Sequence, residues 1–352
     1  MCLITIICYL KWLMKGKTEM KQAILTSGLV LLLLLCGTVY SREQEEMSVA
    51  EKAFQLRIDG KSQQAKEVLS KYLKQDPNDA ITQFEYSRTL CYLFDLESAE
   101  KHAALAAKLD EDNPRYHYWQ GMCGTYLYID QAHHKGNLDS SIIKRSMAAF
   151  EKAIELKPDY HEARYLLINL FNNNEPDQGG DLKKARQHTE YLMEKDLDYG
   201  LQALMVVEQS RSADWKINQY QEALVKESDN AGLHAGIALL YAESGQMDKS
   251  QEHINKAIEL DTCQKDVLLD VIFPLAMKKD YETAKSLVRR YLELAVDEPA
   301  AMRAFGTFYL AKLEKMSGDP NADKTLEQSR QIDPDVWMTM KAPPAILFEP
   351  LG

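Results

Sequence analysis

The chain has 352 residues, 45% of them hydrophobic and 27% charged, with 16 Gly and 11 Pro. That composition excludes a disordered, collagen-like or multispan membrane chain. The formal net charge of −11 argues against a nucleic-acid backbone or an anionic lipid surface as the main partner, because both attract basic patches. Alanine, leucine, glutamate, lysine and glutamine dominate and β-branched runs are scarce, so helix is expected nearly everywhere.

Residues 1–41 differ in kind from the rest. An apolar stretch from Ile24 to Cys36 follows Lys11, Lys15, Lys17 and Lys21 and precedes a polar run from Arg42, the pattern of a signal peptide. Val39 and Ser41 place the expected cut between Ser41 and Arg42. Residues 20–41 make a complete signal, so Met20 is the expected start. Leu35 stands where a lipoprotein signal has a small residue before Cys36, which favours cleavage over lipidation. An uncleaved tether through residues 24–40 stays open, since Leu25 to Tyr40 is slightly shorter than the roughly 17–25 residues that span a bilayer. The lysines orient either version with residues 42–352 outside the cytoplasm, in the periplasm or envelope. Removing the prefix takes the charge to −14 and leaves Cys91, Cys123 and Cys263. That odd, sparse set excludes a disulfide framework, with pairing of Cys91 and Cys123 open.

A small residue, usually followed by apolar residues four and seven positions later, returns at Ala65, Ala99, Ser146, Ala185, Ser250, Ala284 and Ala322, with Lys216 replacing it at the fifth anchor. The spacings are 34, 47, 39, 31, 34, 34 and 38 residues. Each unit holds two amphipathic helical stretches joined by a turn, and residues 231–264 are the clearest, with Tyr241, Gly245, Ser250, Ile254 and Ala257 in register. The segment F-E-K-A-I-E-L-K-P-D-Y, Phe150 to Tyr160, supplies a second helix and its proline exit, and Pro77, Pro114 and Pro334 close other units.

This register resembles the tetratricopeptide repeat (TPR) family across residues 46–336. The resemblance implies an all-α, right-handed α-solenoid of about seven or eight helix-turn-helix repeats. Departures from the pattern are expected to be local. The 47-residue interval predicts a loop of about 13 extra residues near Tyr128 to Ser141, and the 39-residue interval predicts a turn over Asn172 to Asp181 with Asp181 capping the next helix. Pro274 should kink a first helix. Thr189 and Lys216 make the fourth and fifth units the weakest matches. Residues 337–352 contain Pro343 and Pro344 and are expected to be an extended tail, with Trp337, Ile346, Leu347 and Phe348 capping an open solenoid end or docking on a partner.

The mature chain carries no P-loop, G-x-S-x-G, H-E-x-x-H, dinucleotide fingerprint or C-x-x-C. No catalytic residue, metal ligand or cofactor is assigned. His133 and His134, with Asp130 and Asp139, read as a solvated loop, and the other histidines read as scattered without a common register. The resemblance instead implies a concave groove lined by the first helix of each unit. The family's groove positions fall on Arg88, Cys91 and Tyr92 in the second unit, Tyr118, Met122 and Tyr126 in the third, Tyr165 and Asn169 in the fourth, and Met205, Glu208 and Gln209 in the fifth. Tyrosine and arginine suit interfaces because they bury area and keep a polar handle. The family's carboxylate clamp is absent, since Ala50 and Phe54 stand at its lysine and asparagine positions. The expected function is therefore an exported, non-catalytic scaffold that binds a protein or peptide. Two alternatives stand beside it: a small-ligand or metal-dependent site at loop 128–141 with loop 172–181, and a structural subunit held by an uncleaved amino-terminal segment.

Overall fold

The structure is a computed structural model that describes residues 47–134 and 139–335. Predictions on the signal segment, on residues 135–138, on the side chain of His134 and on the tail from residue 336 lie outside the described residues. Among the described residues there is no strand, and no helix is long and apolar enough to cross a membrane.

The helices form successive pairs. The first three are α1 (Val49–Ile58) with α2 (Ser62–Leu73), α3 (Ala80–Tyr92) with α4 (Leu96–Leu109), and α5 (Pro114–His134) with α6 (Ser140–Leu156). The middle three are α7 (His161–Asn173) with α8 (Leu182–Lys195), α9 (Leu197–Val207) with α10 (Ala213–Lys226), and α11 (Ala231–Glu243) with α12 (Met247–Leu260). Then α13 (Val267–Asp270) and α14 (Ile272–Met277) share the first-helix role opposite α15 (Tyr281–Leu294), and α16 (Ala300–Ser317) pairs with α17 (Ala322–Ile332). Each anchor of the sequence register falls in the second helix of a pair. Ala65, Ala99, Ala185, Ser250 and Ala284 are fully buried there, because only a small side chain lets the paired helices approach closely. Lys216 and Ala322 are half-buried, and the buried stripe passes instead through Ile217, Tyr220 and Ala223 in α10 and Thr325 and Ser329 in α17. Thr189 keeps its place in α8 by donating its hydroxyl to the Ala185 carbonyl at 2.9 Å.

Helix boundaries follow local chemistry. Asp181 accepts from the Lys183 and Lys184 amides, both at 3.0 Å, and Asn230 accepts from the Leu233 amide at 3.1 Å. Gly60, Phe94, Gly245 and Lys279 all hold the same left-handed turn between first and second helix. Pro274 interrupts its first helix as expected: it has no N–H for the Asp270 carbonyl and its ring crowds that group, so α13 stops at Asp270.

Two expectations need correction. The insertion predicted as a loop over 128–141 is largely helical, because α5 runs on to His134 and α6 begins at Ser140, where Asp139 accepts from the Ser141 amide at 2.9 Å. Ile129 and its buried neighbours Leu127 and Tyr128 supply an apolar stripe that extends the helix rather than ending it. The last pair does not present an open end either. A Cβ on Gly60, in the α1–α2 turn, would lie 2.8 Å from the Ile332 carbonyl and 3.2 Å from Ala300. Tyr92 donates to Asp333 at 2.5 Å across 241 residues of sequence, and Ala301 packs in the same buried cluster as Tyr92. The last repeat thus meets the first two.

Candidate functional site

The residues assigned to the groove divide by location. In the second unit, Arg88 and Tyr92 are fully buried and Cys91 nearly so. Arg57 and Arg88 share Glu85, at 2.8 and 3.1 Å, with all three side chains at 0% exposure. Phe54 lies under both guanidiniums, at 5.6 and 5.4 Å. The Tyr92 hydroxyl is pushed far above its ordinary value by burial and by Asp333. In the third unit, Tyr118 is buried against Phe150, stacks on Tyr160 at 4.9 Å and donates to Glu162, while Met122 is buried and Tyr126 half-buried. Arg88, Cys91, Tyr92 and Tyr118 are therefore core residues, a correction to the groove assignment. None is more than 6% exposed, so they offer little free contact surface.

The fourth and fifth units behave differently. Tyr165, Asn169, Met205 and Gln209 line one cleft of about 620 Å³ together with Asp198, Gln202, Lys216, Tyr220, Glu243 and Asp270. Its walls are mainly α7, α9, α11 and α13, the first helices of four successive pairs, with Lys216 and Tyr220 contributed by α10. Glycine makes the floor possible. A Cβ on Gly232 would lie 2.0 Å from the Asp198 carboxylate, and one on Gly236 would lie 2.5 Å from the Tyr220 ring. Gln202 donates to Asp198 at 3.1 Å, and burial raises the Asp198 carboxyl above its usual range. The Asp270 carboxyl is pushed up to about 6, mainly by burial and then by the charge of Asp266. Glu208 is not in this lining. It caps α9 and is engaged by Arg186 and Arg211, at 3.0 and 3.1 Å.

A second cavity of about 430 Å³ adjoins the first, with Tyr165, Asn169 and Asn173 common to both. Met122, Tyr128, Ile129, Ile143, Phe150 and Leu166 make most of its wall. The two insertions thus meet here, since Tyr128 and Ile129 come from one and Asn173 and Asn174 from the other. Among the described residues, no group of three His, Cys, Asp or Glu is arranged to hold a metal ion, and His133 is exposed.

Three of the histidines do share a register, contrary to the sequence reading. His102, His188 and His253 each lie three residues after their second-helix anchors, Ala99, Ala185 and Ser250. Each faces the fourth residue of its partner helix: Gln83 Oε1 to His102 Nδ1 at 2.5 Å, Arg164 Nη1 to His188 Nδ1 at 2.8 Å, and His234 Nδ1 to His253 Nδ1 at 2.8 Å. Those fourth residues also donate to the carbonyl six residues earlier, Gln83 to Pro77, Arg164 to Pro158 and His234 to Ser228, at 2.7, 3.1 and 3.0 Å. The clamp ties the turn between repeats to both helices. Burial lowers the pKa of all three histidines. The signal was available as the constant offset from each anchor, whereas the direct intervals of 86 and 65 residues hide it.

Cys91, Cys123 and Cys263 are free thiols, with Cys123 within hydrogen-bonding reach of Cys91 and its pKa raised by burial.

Residues 231–262, which hold α11 and α12, match the family model described as tetratricopeptide repeat. The chain thus holds a tetratricopeptide repeat over these residues, and the helix pairs on either side repeat the same arrangement, which makes the described residues an all-α helical-repeat solenoid. Among solved structures it is similar to a tetratricopeptide repeat protein from Parabacteroides merdae, 14% identical with a TM-score of 0.44, covering 80% of this chain and 97% of that one. It is also similar to MamA, 18% identical with a TM-score of 0.32, covering 62% of this chain and 97% of that one. YrrB, described as a TPR protein with an unusual peptide-binding site, is 20% identical with a TM-score of 0.30, covering 60% of this chain and 97% of that one. No curated protein matches the chain. At the level of the family, the fold is that of a protein-interaction scaffold.

Proposed function

We propose that this chain is an exported, non-catalytic scaffold that holds a segment of a partner protein along the first helices of its fourth to seventh repeats. One observation carries the reading: Tyr165, Asn169, Met205 and Gln209, picked by repeat position, line a single cleft of about 620 Å³ walled mainly by successive first helices. Such a cleft suits a continuous segment, because every helix pair adds one more row of contacts along it. Export rests on the lysine-flanked apolar stretch Ile24 to Cys36 and the V-Y-S site before Arg42.

In-cell crosslinking tests the groove. A photoreactive residue at Asn169 should capture a discrete protein, whereas one at Lys152, on α6 and outside the cleft lining, should not. Equal capture from both positions sinks the groove reading, and capture of nothing from Asn169 moves weight to a small ligand in the 430 Å³ cavity. Mass analysis of the native protein tests export. A chain starting at Arg42 is expected, and an intact segment through residues 24–40 would favour the tethered-subunit alternative instead.

A further inference from the structure

The groove changes chemistry across one helix. Tyr165, Asn169 and Asn173 lie four residues apart on α7 and form a ridge between the two cavities. On one side the wall is apolar, from Ile129, Ile143, Phe150 and Leu166. That wall depends on the extra turns of α5, which place Tyr128 and Ile129 opposite α7. On the other side, the ionisable lining is Asp198, Glu243 and Asp270 against Lys216 alone, apart from the tyrosines. Lys216 is already engaged, since its ammonium donates to the Gln209 carbonyl at 3.0 Å. Asp198 is held in place between Gly232 and the Gln202 amide. Tyr165 and Tyr220 border the same space and present aromatic surface to anything that enters.

We propose that the occupant is an extended segment of a partner protein that seats a large apolar side chain in the apolar 430 Å³ cavity and a lysine or arginine in the 620 Å³ cleft. This rests on the groove reading of the preceding subsection. Charge complementarity selects the cation: the 620 Å³ cleft carries an excess of carboxylates and offers aromatic faces, the two features that hold an ammonium or guanidinium. The ridge selects extended backbone. An extended segment brings unpaired amides and carbonyls past it, and asparagine amides can both donate to and accept from them. A helix is about 10 Å across and the side chains of an extended chain alternate between its faces, so two side chains that enter the same groove across the ridge are separated by about four residues. The motif expected is therefore a large apolar residue and a basic residue about four positions apart.

The test uses the purified protein and an immobilised library of 12-residue peptides varied at every position. Bound peptides should be enriched in that pairing, and the enriched peptides should lose about tenfold in affinity on the double substitution Asp198→Asn and Asp270→Asn, with the melting temperature retained. Ile129→Glu should remove the apolar preference while leaving the basic one. Peptides that bind without any preference for Lys or Arg, or that are indifferent to the double Asn variant, overturn this proposal and leave the groove reading standing. If the library binds nothing and the Asn169 crosslink captures no protein, the groove reading falls and takes this proposal with it.

Discussion

Arg88 and Asn169 both stand ninth in the first helix of their repeats, yet Arg88 is fully buried and Asn169 lines an open cleft. Thirteenth in the same register, Tyr92 is sealed against Asp333 while Gln209 is exposed. The comparison teaches that repeat position sets where a side chain is presented but not what stands opposite it. In the second repeat the opposing surface is supplied by Phe54 and Arg57 of the first and by Asp333 after the last. Around the fourth to seventh repeats, the cleft stays open enough to hold a ligand.

The largest expected effect lies in the closed region. Glu85→Ala removes the carboxylate shared by two buried arginines and should cost about 3–5 kcal/mol in chemical denaturation. A loss below about 1 kcal/mol would mean that water reaches the pair and that the contrast with the cleft is overstated. Tyr92→Ala should cost a similar ~3–5 kcal/mol, whereas Gln209→Ala, at the same repeat position, should stay within about 0.5 kcal/mol. Equal costs would erase the distinction between the two regions.

Contact between the last repeat and the second is tested next. Asp333→Ala removes the carboxylate that accepts from the buried Tyr92 hydroxyl and should cost about 1–3 kcal/mol, and a double-mutant cycle with Tyr92→Phe should reveal coupling. Additive losses would show that the two repeats do not communicate through this pair.

The dependence on pH distinguishes the clamp histidines from the cleft. Burial lowers His102, His188 and His253 below their unfolded value of about 6.5. The unfolded chain therefore binds more protons, and their contribution is present above that pH and lost as pH falls below it. The melting temperature should drop between about pH 6.5 and 5, and His188→Gln should flatten that drop. Asp270 acts in the opposite sense, since its folded value of about 6 exceeds the unfolded ~3.9. Its contribution is present below about pH 4 and lost as pH rises through 6. Asp270→Asn should thus raise stability only at the higher pH, by less than about 1 kcal/mol, because the carboxyl is desolvated on its cleft side while the residue keeps contact with water at the rim. A variant that behaves alike at pH 4 and pH 8 would contradict that assignment.

Much of the architecture was legible because it is local. The small residues at Ala65, Ala99, Ala185, Ser250 and Ala284 mark second helices, Asp181 marks a cap and Pro274 marks a break, since each acts through atoms within a few residues or across one helix pair. The helical run of the insertion was missed because its polar D-Q-A-H-H-K-G segment reads as a loop, while the neighbouring Leu127 and Tyr128 that pack inward are few. The histidine clamp was missed because unequal repeat lengths obscure a constant offset. The cleft was half legible: Tyr165, Asn169, Met205 and Gln209 follow from the repeat register, but Asp198, Tyr220 and Asp270 join them only when four helix pairs are stacked.

By itself, then, the amino-acid sequence determined the helical class, the pairing of neighbours and the approximate repeat length, all products of short-range periodicity. Only the tertiary structure decided which equivalent positions are sealed and which stay open. The contact between Tyr92 and Asp333 spans 241 residues and results from small rotations summed over every intervening pair. No local pattern encodes that sum, because each repeat senses only its neighbours.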